Sequence, residues 1–398
     1  MTNEKIPQDR SGGWKELLTR PDQSRTLILG VFFFASCLVL PLANDTRIAT
    51  VFMVACVLLY YSLNQSLRAL LHYAWPVLPL ILLSEMIPGV PNLMTLPCVY
   101  VALLVGGATG GFLLTHFHDP KGIGILLLLP AAAFGAVALL THNPMRALLV
   151  LLPAVLAAAA GLCLLKCVAC KDAVITLAAV LVCSAAVAGL ITLAFRGELH
   201  TGLLTALADK IRAHIHASVA DTVALYAEAG ITLTVPELEI NNLASSLINI
   251  APGLFLALCG VCGFLLWHSL LNMLMSLGSL PRLPRHIAGF GISRTGAAVF
   301  LAATVLSLFA SGTDSVFGAI CENLCLAMSP GLALIGCSLL FAKGRQRSCL
   351  STLIAAGLIL LLFVDIFSAL TLAAVFGAVT VLTSSLLPGD NDNQKGEQ

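Results

Sequence analysis

Between Asp172 and Arg196 the chain reads AVITLAAVLVCSAAVAGLITLAF, residues 173–195, 23 positions without a charged side chain. A helix needs about 20 apolar residues to cross roughly 30 Å of hydrocarbon. Strands of a membrane barrel would instead show alternating segments of about ten residues. Runs such as Ile125 to Leu129 and Leu358 to Phe363 do not alternate. Residues 173–195 therefore read as a spanning helix, and the rest of the chain agrees. Of 398 residues, 59% are hydrophobic and 10% charged, with a mean hydropathy of +0.97. Soluble domains carry about 25% charged residues. An ordinary soluble enzyme is excluded, as are a disordered chain and a small disulfide scaffold. The net charge of +1 gives no pointer to nucleic acid as a partner.

Apolar runs bounded by charges, Pro/Gly clusters or loop residues predict spans at 26–43, 48–63, 72–88, 94–115, 122–141, 147–165, 173–195, 251–275, 295–311, 318–342, 349–364 and 366–386. The expected fold is an all-α, polytopic transmembrane helix bundle of about 12 spans (10–12). An amphipathic extracytoplasmic segment lies between spans 7 and 8. The last pair has two readings. Residues 349–386 form two crossings turning near Asp365, or one span plus an interfacial segment. As one helix that stretch would be nearly twice the hydrocarbon thickness, which favours two.

Lys and Arg accumulate in cytoplasmic loops. With the N-terminus inside, sixteen of the 21 basic residues fall in inner segments. The charged start without a cleavage site reads as a signal anchor. The expected location is the bacterial inner (cytoplasmic) membrane, multi-pass. The organisation is a cytoplasmic segment 1–25, a membrane bundle 26–195, an amphipathic extracytoplasmic segment 196–250, a second bundle 251–386 and a cytoplasmic tail 387–398. In the middle segment Leu204, Leu207, Ile211, Ile215 and Val219 recur at helical spacing. Gly230 ends that helix. Ile231 to Val235 reads as a short β-type run, and a second helix starts near Pro236 and leads into span 8.

HExxH, GxSxG and GxxxxGK[ST] are absent from the sequence, so no catalytic residue is assigned, and neither a metal nor a cofactor is called for. Ionisable or polar groups within spans are the candidates for ligand contact, because burying them in lipid is costly. Glu85 lies near the outer end of the third span, after Pro76 and Pro79; it is either part of a site beside an interrupted helix or a carboxylate reaching the headgroups. His268 and Asn272 share one face of span 8, where polar groups serve either a ligand or helix association. Glu322, beside Asn323, starts span 10 and has the interfacial position as its plainer reading.

The cysteines Cys259, Cys262, Cys321 and Cys325 read as packing residues. Cys163, Cys167 and Cys170 flank Lys166 and Lys171. That setting suits S-acylation or thiolate chemistry, with an inert thiol as the plainer reading. Gly106, Gly107, Gly110 and Gly111 form two small-xxx-small patterns and so a helix-packing face.

The stretch Ile250-Ala251-Pro252-Gly253-Leu254 is followed by Leu271-Asn272 and the basic loop Pro281-Arg282-Leu283-Pro284-Arg285. More spans come after, and an amphipathic segment comes before. This order resembles the YybS-like family of predicted bacterial integral membrane proteins of unknown function. That family is described as distantly similar to the substrate-binding subunits of energy-coupling-factor transporters. The resemblance implies an inner-membrane location and carries no site residues. The leading functional expectation is binding or transport of a small molecule within the bundle. A membrane scaffold or assembly partner of another membrane complex is the alternative, and an enzyme acting on lipid stands third. The lipid bilayer is the partner the composition requires.

Overall fold

The computed structural model describes residues 23–64, 77, 80–81, 84, 92–117, 120–196, 203–232, 234–277, 287, 289–310, 316–342 and 366–383. Its elements are α1 (Gln23–Val39, continued by a 3-10 turn Leu40–Leu42), α2 (Thr46–Asn64), α3 (Thr95–His116), α4 (Pro120–Thr141), α5 (Pro144–Leu148) and α6 (Leu151–Leu165). They continue with α7 (Cys170–Arg196), α8 (Leu203–Glu228), α9 (Glu237–Ser276), α10 (Arg294–Ala310), α11 (Val316–Ala342) and α12 (Ile366–Thr383). No strand occurs among the described residues. The protein is all-helical there. Six of these helical stretches are long and apolar enough to cross a membrane: Ser24–Leu42, Thr95–His116, Arg146–Leu165, Cys170–Ile191, Glu237–Ser276 and Val316–Ser338.

Helix starts follow local chemistry. The Asp45 carboxylate accepts hydrogen bonds from the backbone N–H of Arg47 (2.9 Å) and Ile48 (3.4 Å), so it caps α2. Asn143 does the same for α5, accepting from Arg146 N–H at 3.3 Å, and Pro144 occupies the first position, where no donor is needed. Asn92 accepts from the Met94 N–H and the Thr95 hydroxyl ahead of α3. Its amide also donates to the Asn44 carbonyl at 2.6 Å, joining the turn before α2 to the turn before α3.

Two expectations about continuity change. The span expected as one helix over 147–165 turns tightly at Leu149–Val150, through bonds from Leu149 to Arg146, Val150 to Ala147 and Leu152 to Leu149. Pro153 cannot donate to Leu149, and the i→i−3 bonds take up the slack. The β-type run at 231–235 is not a strand: Ile231, Thr232, Thr234 and Val235 belong to no regular element. A five-residue strand needs a partner for its backbone groups, and none exists among the described residues. The helix ends flanking it fall as read. Gly230 adopts φ +77°, and α9 begins after Pro236.

Cα proximity divides the chain into two compact units, Met1–Ala244 with Cys262–Gly289, and Ser245–Val261 with Phe290–Gln398. α9 contributes to both. In the first unit α3 is the central helix. A side chain at Gly110 would lie 2.5 Å from the Ala157 Cβ of α6 and 2.6 Å from the Phe33 ring of α1. One at Gly106 would lie 2.9 Å from both Pro153 and Ser36, and one at Gly107 would strike Leu266 of α9. The glycine face therefore works as a packing face. Backbones approach closely, which is how helices associate where burial from water supplies no drive. In the second unit Gly336 of α11 and Gly377 of α12 face each other, each meeting the other helix's backbone. Phe300, Leu332, Ala373 and Ala378 close the core around them.

The outer surfaces are apolar. Leu139 is 77% exposed, Ile175 65%, Leu308 71% and Phe309 82%. A soluble protein seldom shows such continuous apolar surface. Long apolar helices with apolar outer faces suit a membrane protein.

Candidate functional site at a broken helix

α9 runs 40 residues, about 60 Å at 1.5 Å per residue, and carries Pro252 in its interior. Proline has no N–H, so the carbonyl four residues back, Ile248, loses its helical donor. The next N–H along has a partner on another helix: the Gly253 N–H donates to the side-chain Oδ1 of Asn323 on α11 at 2.5 Å. The Asn323 Nδ2 in turn donates to the Asn249 carbonyl at 2.6 Å and to the Ala319 carbonyl of its own helix at 2.7 Å. One carboxamide thus bridges the proline site of α9 and pins α11 to it. All of these residues belong to the second unit.

The pin dictates its residue types. Only a carboxamide offers an acceptor and two donors on one short side chain. Any Cβ at position 253 would lie 2.7 Å from the Asn323 Cα and from its backbone oxygen, so glycine is required by backbone contact. Cys325 on α11 shares a contact of 3.4 Å with the Thr304 hydroxyl of α10, and Cys321, a turn earlier, is buried. Cys321 is buried and Cys325 packs half-buried against the core, which suits the packing role.

The other candidates take different positions. Glu322 is exposed, while its neighbour Asn323 makes the interhelical bonds. His268 and Asn272 are half-buried on α9 in the first unit. The His268 ring stacks on Phe264, with centroids 5.4 Å apart and an interplanar angle of 18°. Beside it Trp267 is fully buried and donates its indole N–H to the Ile287 carbonyl at 3.1 Å. This part of α9 is a packing surface with polar anchors. Glu85 lies outside the described residues. Ser84, next to it, is buried and helical, and its hydroxyl donates to the Leu80 carbonyl at 2.9 Å.

Among the described residues no group of three or more His, Cys, Asp or Glu side chains is placed to hold a metal ion. Cys167 sits between α6 and α7, and burial pushes its thiol up from the ordinary range. That works against a reactive thiolate, which needs a lowered value.

Sequence reasoning had the pieces of the pin without joining them. Pro252-Gly253 marks the start of span 8, and Asn323 is the neighbour of Glu322. A proline-glycine pair inside an apolar helix is the available signal, since it frees backbone groups that some polar side chain must take up. No protein-family model matches the chain, and neither a curated protein nor a solved structure matches it.

Proposed function

We propose that this chain is a multi-pass inner-membrane protein that binds or transports a small polar molecule within its helix bundle. The observation that carries this reading is the proline inside α9 at Pro252–Gly253, whose neighbouring backbone groups bond Asn323 of α11. Membrane transporters place substrate sites at interrupted helices, where backbone groups are free to take a ligand. A ligand with one acceptor and one donor side by side, as in an amide, could replace the Asn323 carboxamide on Gly253 and Asn249. Glu85, His268, Asn272 and Glu322 remain the further ligand contacts proposed from the sequence. The resemblance to the YybS-like family supports the same location. The test is uptake or saturable binding by the full chain in reconstituted vesicles, across a panel of amide-bearing and other polar metabolites. Saturable uptake that Asn323→Leu abolishes supports the reading; no saturable signal across the panel removes it.

The topology proposed with it has twelve spans, both termini cytoplasmic and residues 196–250 outside. Besides the six long apolar helices, α2, α4, α10 and α12 have 19, 22, 17 and 18 residues. At 1.5 Å per residue they extend about 26–33 Å, close to the hydrocarbon thickness. Spans at 72–88 and 349–364 make up the number, and both lie largely or wholly outside the described residues.

A membrane scaffold is the second reading, favoured by the close packing of the α3 glycine face against α1 and α6. Purification from native membranes in mild detergent distinguishes it, since a scaffold brings a partner in fixed ratio.

A further inference from the structure

α8 and the first turns of α9 form a helical hairpin within the first unit. His216 Nε2 of α8 lies 3.3 Å from Asn241 Oδ1 of α9, and beyond that pair the hairpin tip comprises residues 217–240. α8 carries Asp209, Lys210 and Arg212, and α9 opens on Glu237 and Glu239, so hydrocarbon does not cover this part of the chain. The protein itself covers little of α8: of its described side chains only Ile215 is buried. At the tip Leu225 is 66% exposed and Leu238 71%, and Tyr226 and Ile231 are exposed between them. The Ile231 N–H donates to the Tyr226 carbonyl at 2.9 Å, which holds those two residues at one turn. Large apolar side chains gathered in water and rimmed by charge mark interaction sites.

Charge selects the occupant. Glu228, Glu237 and Glu239 stand exposed among these apolar groups, and the chain has no Lys or Arg from residue 213 to residue 281. A helix that lies on a membrane surface carries Lys and Arg on its polar face, whereas this tip carries carboxylates. A second copy is disfavoured too, because a two-fold interface sets the same patch against itself and so brings like charges together. A segment of another protein that interleaves large apolar residues with Lys or Arg meets both the apolar and the charged groups. We infer that the hairpin tip docks such a basic, apolar-bearing segment, with Leu225 and Leu238 as its apolar anchors and the three carboxylates as its charge partners. This surface does not depend on the proposed transport activity.

The test places benzoylphenylalanine at Leu225 or Leu238 of the full chain and irradiates native membranes. Leu139 of α4, 77% exposed, is the control position. The expected adduct at 225 and 238 joins a peptide of another protein that carries a net positive charge and large apolar residues. Its yield should fall by on the order of tenfold in Glu228→Lys with Glu237→Lys, where like charges then meet. A salt concentration of about 1 M should also lower the yield without either substitution, because charges are then screened beyond about 3 Å. That arm keeps the result independent of how the variant folds. Adducts at 225 and 238 with lipid, with a second copy of this chain, or with a peptide lacking net positive charge overturn the inference. So does a yield no higher than at position 139, or one that neither charge reversal nor salt changes.

Discussion

Two helix ends in this protein carry the same hydrogen bonds on different residues. At the end of α8 the Gly230 N–H bonds to the Ala227 carbonyl and the Ile231 N–H to the Tyr226 carbonyl. At the end of α6 the Cys167 N–H bonds to Leu164 and the Val168 N–H to Cys163. Both are Schellman motifs, which need a left-handed residue. Gly230 supplies φ +77° without strain, whereas Cys167 is held at φ +51°, a region that costs a side-chain-bearing residue about 1 kcal/mol. Gly230→Ala should lower stability by about 1 kcal/mol although nothing crowds the position. Cys167→Gly should raise it by up to about 1 kcal/mol, both read from thermal unfolding in detergent. Cys167 also has a pH signature. Its thiol is raised by burial, so the neutral form suits the fold. The associated stability is present below the unfolded thiol range, about 8.5, and is lost as pH rises through the higher folded value. Alkylation of Cys167, mapped by peptide mass spectrometry, should stay slow at pH 8 and accelerate above that range.

The Asn323 pin makes a sharper residue-scale prediction. Asn323→Leu removes the bonds to the Gly253 N–H and the Asn249 carbonyl. The Gly253 bond is half-buried and the Asn249 bond exposed, so the cost of each falls between the about 0.6 kcal/mol average of interhelical bonds in membranes and the about 1–3 kcal/mol of a fully buried unpaired group. The loss should therefore be about 2 kcal/mol, between those limits. Gly253→Ala drives a methyl group into the Asn323 backbone and breaks the same bonds. The double variant should cost clearly less than the sum of the singles. Additive losses would show that the two residues do not act as one unit.

At the scale of elements, glycines divide by what surrounds them. Gly110 and Gly377 are positions where helices touch, whereas Gly124 and Gly135 of α4 have open space around a would-be Cβ. Alanine at 124 or 135 should stabilise by about 0.5–1 kcal/mol through helix propensity alone. Alanine at 110 should destabilise by about 1–3 kcal/mol through overpacking, with thermal unfolding again the measurement. The same division marks what the sequence could tell. The glycine face of α3 was legible because its members are three and four residues apart on one helix. The six long apolar helices were legible because apolar runs of membrane length admit little else. The facing pair Gly336–Gly377 was not, since each lies on its own helix with no local pattern. Nor was the pin, whose Gly253 and Asn323 are 70 residues apart. The tight turn at Leu149–Val150 was hinted at by Pro153, yet a proline near a helix start is ordinarily accommodated. Local chemistry reports on rungs and caps, and pairings across helices require the fold.

For the whole molecule, the test that bears on most of the functional reading is sidedness. Basic residues cluster before α1, around α6–α7 and after α11, at Lys343, Arg345 and Arg347. α8 with its neighbours carries most of the acidic residues that lie between spans. If the positive-inside bias governs insertion, those clusters lie on one side and α8 on the other. An even number of crossings must then separate residues 1–25 from the loop 166–169, and an odd number must separate that loop from α8. A single cysteine introduced at exposed Asp221 of α8, in a chain otherwise free of cysteine, should react with an impermeant maleimide in intact cells. Cysteines placed at Lys15 and Lys395 should react only after the membrane is opened. Labelling of position 221 only after opening would reverse the orientation of every loop from 196 onward.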